Sequence, residues 1–110
     1  MNIQHGLSSE TVAKIRAVFS RFPQVERAIL YGSRANGTSR PGSDIDLVLC
    51  GRQLDHHTVG QIDDALDDLL LPYRFDLSIF EKVTHAELLD HIKRVGVTFY
   101  EGTPVEVKHF

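Results

Sequence analysis

One segment of this sequence limits the choice of fold more than any other. It begins with an apolar run at 28–31 and a Gly-Ser pair at 32–33, followed by ten polar and turn-forming residues at 34–43. An Asp-x-Asp triplet at 44–46 and a second apolar run at 47–50 complete it. Because alternate side chains of a strand share a face, Asp44 and Asp46 point the same way while Ile45 points into the core. Two adjacent carboxylates repel each other unless a cation lies between them, and Mg²⁺ prefers oxygen ligands. The segment therefore predicts two strands that carry a divalent-metal site.

The Gly-Ser pair predicts a place where phosphate can approach the backbone. Gly32 offers no side chain to block that approach, and Ser33 offers both a hydroxyl and an amide. A helical turn directly after the pair would add further amides to an anion site. The competing interpretation is a glycine-rich loop followed by an exposed strand that happens to carry acidic residues.

Composition narrows the function classes. The chain has 110 residues, 42% hydrophobic and 25% charged, so a single domain over 1–110 is expected, with a core at about 8–100 and a tail at 101–110. The net charge of -3 argues against broad nucleic-acid binding. No apolar run approaches transmembrane length, and the N-terminus lacks an apolar signal region. The single cysteine, Cys50, excludes an internal disulfide and fits a cytoplasmic location.

Apolar periodicity gives the remaining elements. Besides a short helix after the Gly-Ser pair, we predict three helices and three strands: helices at 8–22, from 59 to a stop at Pro72, and from a Thr84–Glu87 capping box to a stop at Gly96, and strands at 25–31, 45–50 and 74–80. Ser8 or Ser9 is the expected cap of the first helix, and a Thr84–Glu87 capping box that of the last. Residues 97–100 form either a short edge strand or an extended tail. The four aspartates between 63 and 68 are interpreted as a solvated helix face.

Gly-Ser, ten residues and Asp-x-Asp together resemble the signature of the DNA polymerase beta-like nucleotidyltransferase superfamily. The length is most similar to its minimal members. The resemblance implies an α+β fold: a small mixed sheet of three to four strands with helices packed mainly on one side. It also implies a third acid on the strand beside the Asp-x-Asp pair, and Asp76, in an alternating apolar strand, matches that position.

The resemblance implies a Mg²⁺-dependent nucleotidyltransferase that uses ATP. Asp44 and Asp46 would hold two ions, with Mn²⁺ as the alternative metal, and Asp76 would hold the ion that carries the nucleophile. The nucleotide phosphates would then meet five residues that are not metal ligands: Gly32, Ser33, Arg34, Arg40 and Ser43. Many family members have arginine immediately before the glycine that closes the short helix, whereas this chain has Asn36 there. That departure puts rate and affinity in doubt more than the fold.

The resemblance also implies a partner. Minimal members occur with a helical HEPN protein, often a ribonuclease toxin, and act as its antitoxin by moving AMP onto a toxin side chain. A hetero-oligomer of this kind is the leading expectation, since little sequence remains outside the core to bind an acceptor. Two alternatives stay open. The chain could be a nucleotide-binding subunit that neutralises its partner by complex formation, or an antibiotic-modifying transferase.

Overall fold

The computed structural model describes residues 3–4, 6–36 and 44–102 of the chain. The helices and strands in these ranges are, in order, β1 (Ile3–Gln4), β2 (Leu7–Ser8), α1 (Ser9–Ser20), β3 (Arg27–Tyr31), α2 (Ser33–Asn36), β4 (Ile45–Cys50), α3 (His56–Asp67), β5 (Phe75–Ile79), α4 (Ala86–Val95) and β6 (Val97–Glu101). A single 3-10 turn, Phe80–Lys82, joins β5 to the segment before α4.

The described strands form a hairpin and a four-stranded sheet. β1 pairs with β2 in the hairpin, and the sheet has the order β5-β4-β3-β6. β3 is antiparallel to both β4 and β6, whereas β4 is parallel to β5. This mixed sheet confirms the α+β fold predicted from the sequence. Residues 97–101 are an edge strand rather than an extended tail, and residues 103–110 of the expected tail lie outside the described residues.

The core lies between one face of the sheet and the two long helices. α1 contributes Val12, Ile15, Val18 and Phe19 to it, and α3 contributes Ile62 and Leu66. The sheet meets them with alternate residues of its strands, which are Ala28, Leu30, Ile45, Leu47, Leu49 and Ile79. Ile45 is fully buried, as the alternation in Asp44-Ile45-Asp46 predicts. The acidic side chains on either side of it in sequence are therefore kept out of this core.

The fourth helix packs on the opposite face of the sheet. Ile92 of α4 is buried against Tyr31 and Val48, with Leu88 beside them. Two long helices thus cover one face, while α4 covers part of the other. The cluster around Ile92 adjoins the strand ends that carry the aspartates, so α4 brings its own side chains to that edge.

Two helix starts differ from the sequence prediction. α3 begins at His56 because Asp55 caps it, accepting a hydrogen bond of 2.7 Å from the Thr58 amide. The predicted start at residue 59 followed the apolar stripe alone. α4 begins at Ala86 with His85 as its N-cap and no side-chain cap hydrogen bond, so the capping box at Thr84 is wrong. The Ser8 cap of α1 is confirmed, with the Thr11 amide donating to its hydroxyl. No helix within the described ranges has both the length and the hydrophobicity needed to cross a membrane.

Candidate active site

Three strands place Tyr31, Asp46 and Asp76 in a row across one face of the sheet. Tyr31 is the register partner of Asp46 in the antiparallel pair of β3 and β4. Asp46 is in turn the register partner of Asp76 in the parallel pair of β4 and β5. Side chains of register partners stand about 5 Å apart at Cβ, so the two carboxylates face the same space. Asp76 therefore lies next to the Asp-x-Asp pair in the sheet, as predicted.

The carboxylates of this row and the neighbouring Asp44 affect one another's ionisation. Burial raises the pKa of Asp46, and the neighbouring charges of Asp76 and Asp44 raise it further. The positive charge of Arg34 acts in the opposite direction on the pKa of this carboxyl group, as that of His91 does when the imidazole is protonated. Asp44 is exposed and lies directly before β4. The site thus concentrates carboxylates whose repulsion an added cation would relieve.

Gly32 lies where β3 turns into α2, in contact with this row. Its φ is +78°, which a residue with a side chain rarely adopts. A Cβ added at this position would overlap the Oδ2 atom of Asp46. Glycine is therefore required twice over, for the backbone conformation and for the close approach of the carboxylate.

His91 of α4 reaches the same turn, and the sequence analysis missed it. The Gly32 amide donates a hydrogen bond of 3.3 Å to His91 Nε2. The imidazole also meets the Tyr31 ring edge-on, with ring centroids 6.3 Å apart. His91 occupies the apolar stripe of its helix between Leu88 and Ile92, and a titratable residue in that stripe is the one sequence signal that could have drawn attention to it.

The predicted phosphate-binding residues are described only in part. Arg34 is buried, with 2% of its surface exposed, and its guanidinium lies 4.9 Å from the centre of the Tyr73 ring. Ser33 begins α2, but its side chain is outside the described part of the structure, as are Arg40 and Ser43. The short helix expected after the Gly-Ser pair is present as the four residues of α2.

An open cleft of about 380 Å³ adjoins the carboxylates. Asp44 and Asp76 line one part of it, and its wall is completed by residues of α3, of the segment before β5 and of the start of β5: Asp63, Asp67, Tyr73, Arg74 and Phe75. Asp63 and Asp67 are solvent-exposed, as predicted, but they also border this cleft. A larger groove of about 570 Å³ runs between α1 and β6, and its lining includes no predicted site residue.

The donor chemistry of the row suits a divalent cation. Carboxylate oxygens are the ligands that Mg²⁺ and Mn²⁺ prefer, and the charges of Asp44 and Asp76 both bear on Asp46. Within the described ranges, however, no three His, Cys, Asp or Glu side chains are grouped so that they could hold a metal ion. To hold a metal ion, the carboxylates that meet at Asp46 would therefore need further oxygen ligands, such as those of a nucleotide.

Comparison with protein families gives one domain match. The model of the polymerase beta nucleotidyltransferase domain matches residues 13–104, which span every strand of the four-stranded sheet and all four helices except the start of α1. A comparison with curated proteins finds no match.

Solved structures of toxin–antitoxin complexes share the fold. A chain in the crystal structure of a toxin–antitoxin with AMP-PNP is 22% identical, with a TM-score of 0.66; the match covers 89% of this chain and 76% of that one. For the MntA-HepT toxin–antitoxin the identity is 19% and the TM-score 0.64, covering 87% and 74%. For the tri-AMPylated Shewanella oneidensis HEPN toxin in complex with MNT antitoxin the identity is 20% and the TM-score 0.62, covering 86% and 71%.

Proposed function

The chain belongs to the polymerase beta nucleotidyltransferase family, and on that premise we propose that it transfers AMP from ATP to a side chain of a HEPN-type helical protein, as an antitoxin. The observation that carries the proposal is the register pairing of Asp46 with Asp76, beside a glycine turn that admits no side chain. Nucleotidyl transfer depends on positioning and on neutralising charge, and this arrangement serves both.

The proposal gives the three carboxylates separate roles. Asp44 and Asp46 would hold two Mg²⁺ ions, and Asp76 would share the ion nearest the acceptor. The metal, when bound, neutralises phosphate charge and lowers the pKa of an acceptor hydroxyl. Asp76 is exposed at its position in β5, so it can also accept the proton of that hydroxyl. The acceptor oxygen then bonds to the α-phosphorus as the bond to pyrophosphate breaks.

The nucleotide phosphates are assigned to the turn after β3. Ser33 follows Gly32 and begins α2, which brings its amide to the edge of the carboxylate row. The Gly32 amide already donates to His91, so the proposal gives Ser33 the direct phosphate contact. Arg34 supplies positive charge that is felt at Asp46, while roles for Arg40 and Ser43 remain predictions from the sequence.

The partner is proposed from the similar structures. Three of them contain toxin–antitoxin complexes, one with AMP-PNP and one with a tri-AMPylated HEPN toxin. Their chains share the fold of this protein, and the cleft beside Asp44 and Asp76 is open enough for a side chain of another protein to enter. An acceptor hydroxyl presented by a HEPN-type protein therefore fits the geometry.

A second candidate is a nucleotide-binding subunit that neutralises its partner by complex formation. One observation favours it: among the described residues, no three potential ligands are grouped as a metal site. In that case the turn at Gly32 would bind nucleotide, and the carboxylates would not assemble for transfer.

Intact-mass spectrometry separates the two candidates. The purified protein is incubated with ATP, Mg²⁺ and a HEPN-type helical protein, and the mass of that partner is followed. AMP-sized increments are expected with the wild type and should be lost with Asp44→Ala or Asp76→Ala. Asp64→Asn is the matched control, because this carboxylate is exposed on α3 and does not line the cleft. A stable complex that binds ATP without any increment would establish the binding subunit and overturn the transferase.

A further inference from the structure

We propose that His91 is a positioning residue of the nucleotide site. Its Nε2 atom holds the Gly32 turn at a fixed distance from the Asp46 carboxylate. The proposal rests on the proposed function, since it concerns the site where the nucleotide would bind. It adds a residue of α4 to a site that the sequence assigns entirely to residues between Gly32 and Asp76.

The placement of His91 is set by how α4 packs on the sheet. Its neighbours one turn back and next in sequence, Leu88 and Ile92, pack against the cluster of Tyr31 and Val48. Residues three and four apart on a helix share a face, so His91 is directed to the same surface. The edge-on contact with the Tyr31 ring, at an interplanar angle of 82°, fixes the plane of the imidazole.

The hydrogen bond specifies the chemical state of the imidazole. Nε2 accepts a hydrogen bond from the Gly32 amide, so it must carry a free lone pair. In a neutral imidazole this places the ring proton on Nδ1. The backbone amide of Gly32 is thereby satisfied by a side chain 59 residues away in the chain.

Both peptide groups of Gly32 are held. Its amide is bonded to His91, and its carbonyl accepts a bond of 3.2 Å from the Ala35 amide within α2. Since Gly32 can adopt many conformations, these two bonds select the one with φ of +78°. That conformation is also the one in which Gly32 lies against Asp46, so His91 controls the spacing between the phosphate turn and the carboxylates.

Two substitutions at residue 91 separate the hydrogen bond from simple packing. His91→Phe keeps an aromatic ring against Tyr31 but removes the acceptor. His91→Gln loses the ring, yet its amide oxygen can reach the position of Nε2. Leu88→Ala is the control for packing in the same helix, because it removes apolar contact from the same cluster and leaves the hydrogen bond.

The main readout is the Kd for Mg·ATP, measured by calorimetry and accompanied by thermal unfolding. His91→Phe should weaken nucleotide binding by about three- to tenfold, the range expected for one hydrogen bond. His91→Gln should stay within about twofold of the wild type, and Leu88→Ala should lower the Tm without changing the Kd. The AMP transfer rate should follow the same order, with the loss appearing in KM.

The outcomes distinguish this proposal from the function on which it rests. If the wild type binds Mg·ATP and His91→Phe binds it equally well, His91 is only a packing residue and this proposal is overturned. The same holds if His91→Gln is as weak as His91→Phe. If the wild type binds no Mg·ATP at all, the proposed function fails and the proposal fails with it.

Discussion

Replacing Gly32 by alanine tests the close packing between the glycine turn and Asp46. The residue has φ of +78°, and a left-handed conformation costs a residue with a Cβ about 1–2 kcal/mol. The new methyl group would also overlap Asp46 Oδ2, and such overpacking costs about 1–3 kcal/mol. Loss of glycine's freedom in the unfolded chain returns about 0.5–1 kcal/mol. Gly32→Ala should therefore lower the free energy of unfolding by about 1–4.5 kcal/mol.

The assay is urea unfolding, which gives the free energy of unfolding of Gly32→Ala, of the control Gly60→Ala and of the wild type. Gly60 lies within α3, and a Cβ there would meet no atom within 4 Å. Alanine is favoured over glycine inside a helix by about 0.5–1 kcal/mol, so Gly60→Ala should stabilise the protein. The same chemical change thus has opposite signs at the two positions. Equal stability of Gly32→Ala and wild type would refute the packing described here, as would a loss of stability in Gly60→Ala.

Three further predictions concern charge. Because the pKa of Asp46 is raised in the folded state, ionisation of Asp46 destabilises the protein as the pH rises through that pKa. Without metal, Asp46→Asn should therefore have a higher Tm than the wild type at pH 7. The difference in Tm should vanish in acid, where Asp46 is protonated. The hydrogen bond from Thr58 lowers the pKa of Asp55, so Asp55→Ala should lower the Tm at pH 7, with a difference that shrinks as the pH falls through that lowered pKa. Arg34→Gln should raise the pKa of Asp46 further, as carboxyl NMR titration would show, because it removes a cation that lowers it.

The alternation of apolar and polar residues in the strands allowed most of the carboxylate site to be predicted from the sequence. Period-two alternation in Asp44-Ile45-Asp46 places one residue in the core, and alternation around Asp76 puts that carboxylate on the matching face. Local pattern gives only the face of each strand; that the two strands are neighbours was implied by the family resemblance, and the pairing of β4 with β5 confirms it. The assignment of metal and nucleotide to them stays a prediction.

His91 could not be predicted in the same way. In its helix it has the spacing of a core residue, and its contact with Gly32 depends on how α4 lies over β3. The start of α3 was misplaced for a different reason, since apolar periodicity begins only after the Asp55 cap and the two exposed histidines. For His91, the position of α4 on the sheet outweighed the apolar periodicity of the helix. For the start of α3, the Asp55 cap outweighed it.

Mn²⁺ binding measured by electron paramagnetic resonance, in the presence of a non-hydrolysable ATP analogue, tests the central claim most directly. That claim is that the carboxylates meeting at Asp46 hold the metal of a nucleotidyltransferase. The wild type and the exposed control Asp64→Asn should bind Mn²⁺ equally, while Asp46→Asn and Asp76→Asn should bind it about tenfold or more weakly. Unchanged Mn²⁺ affinity in Asp46→Asn and Asp76→Asn would contradict the account.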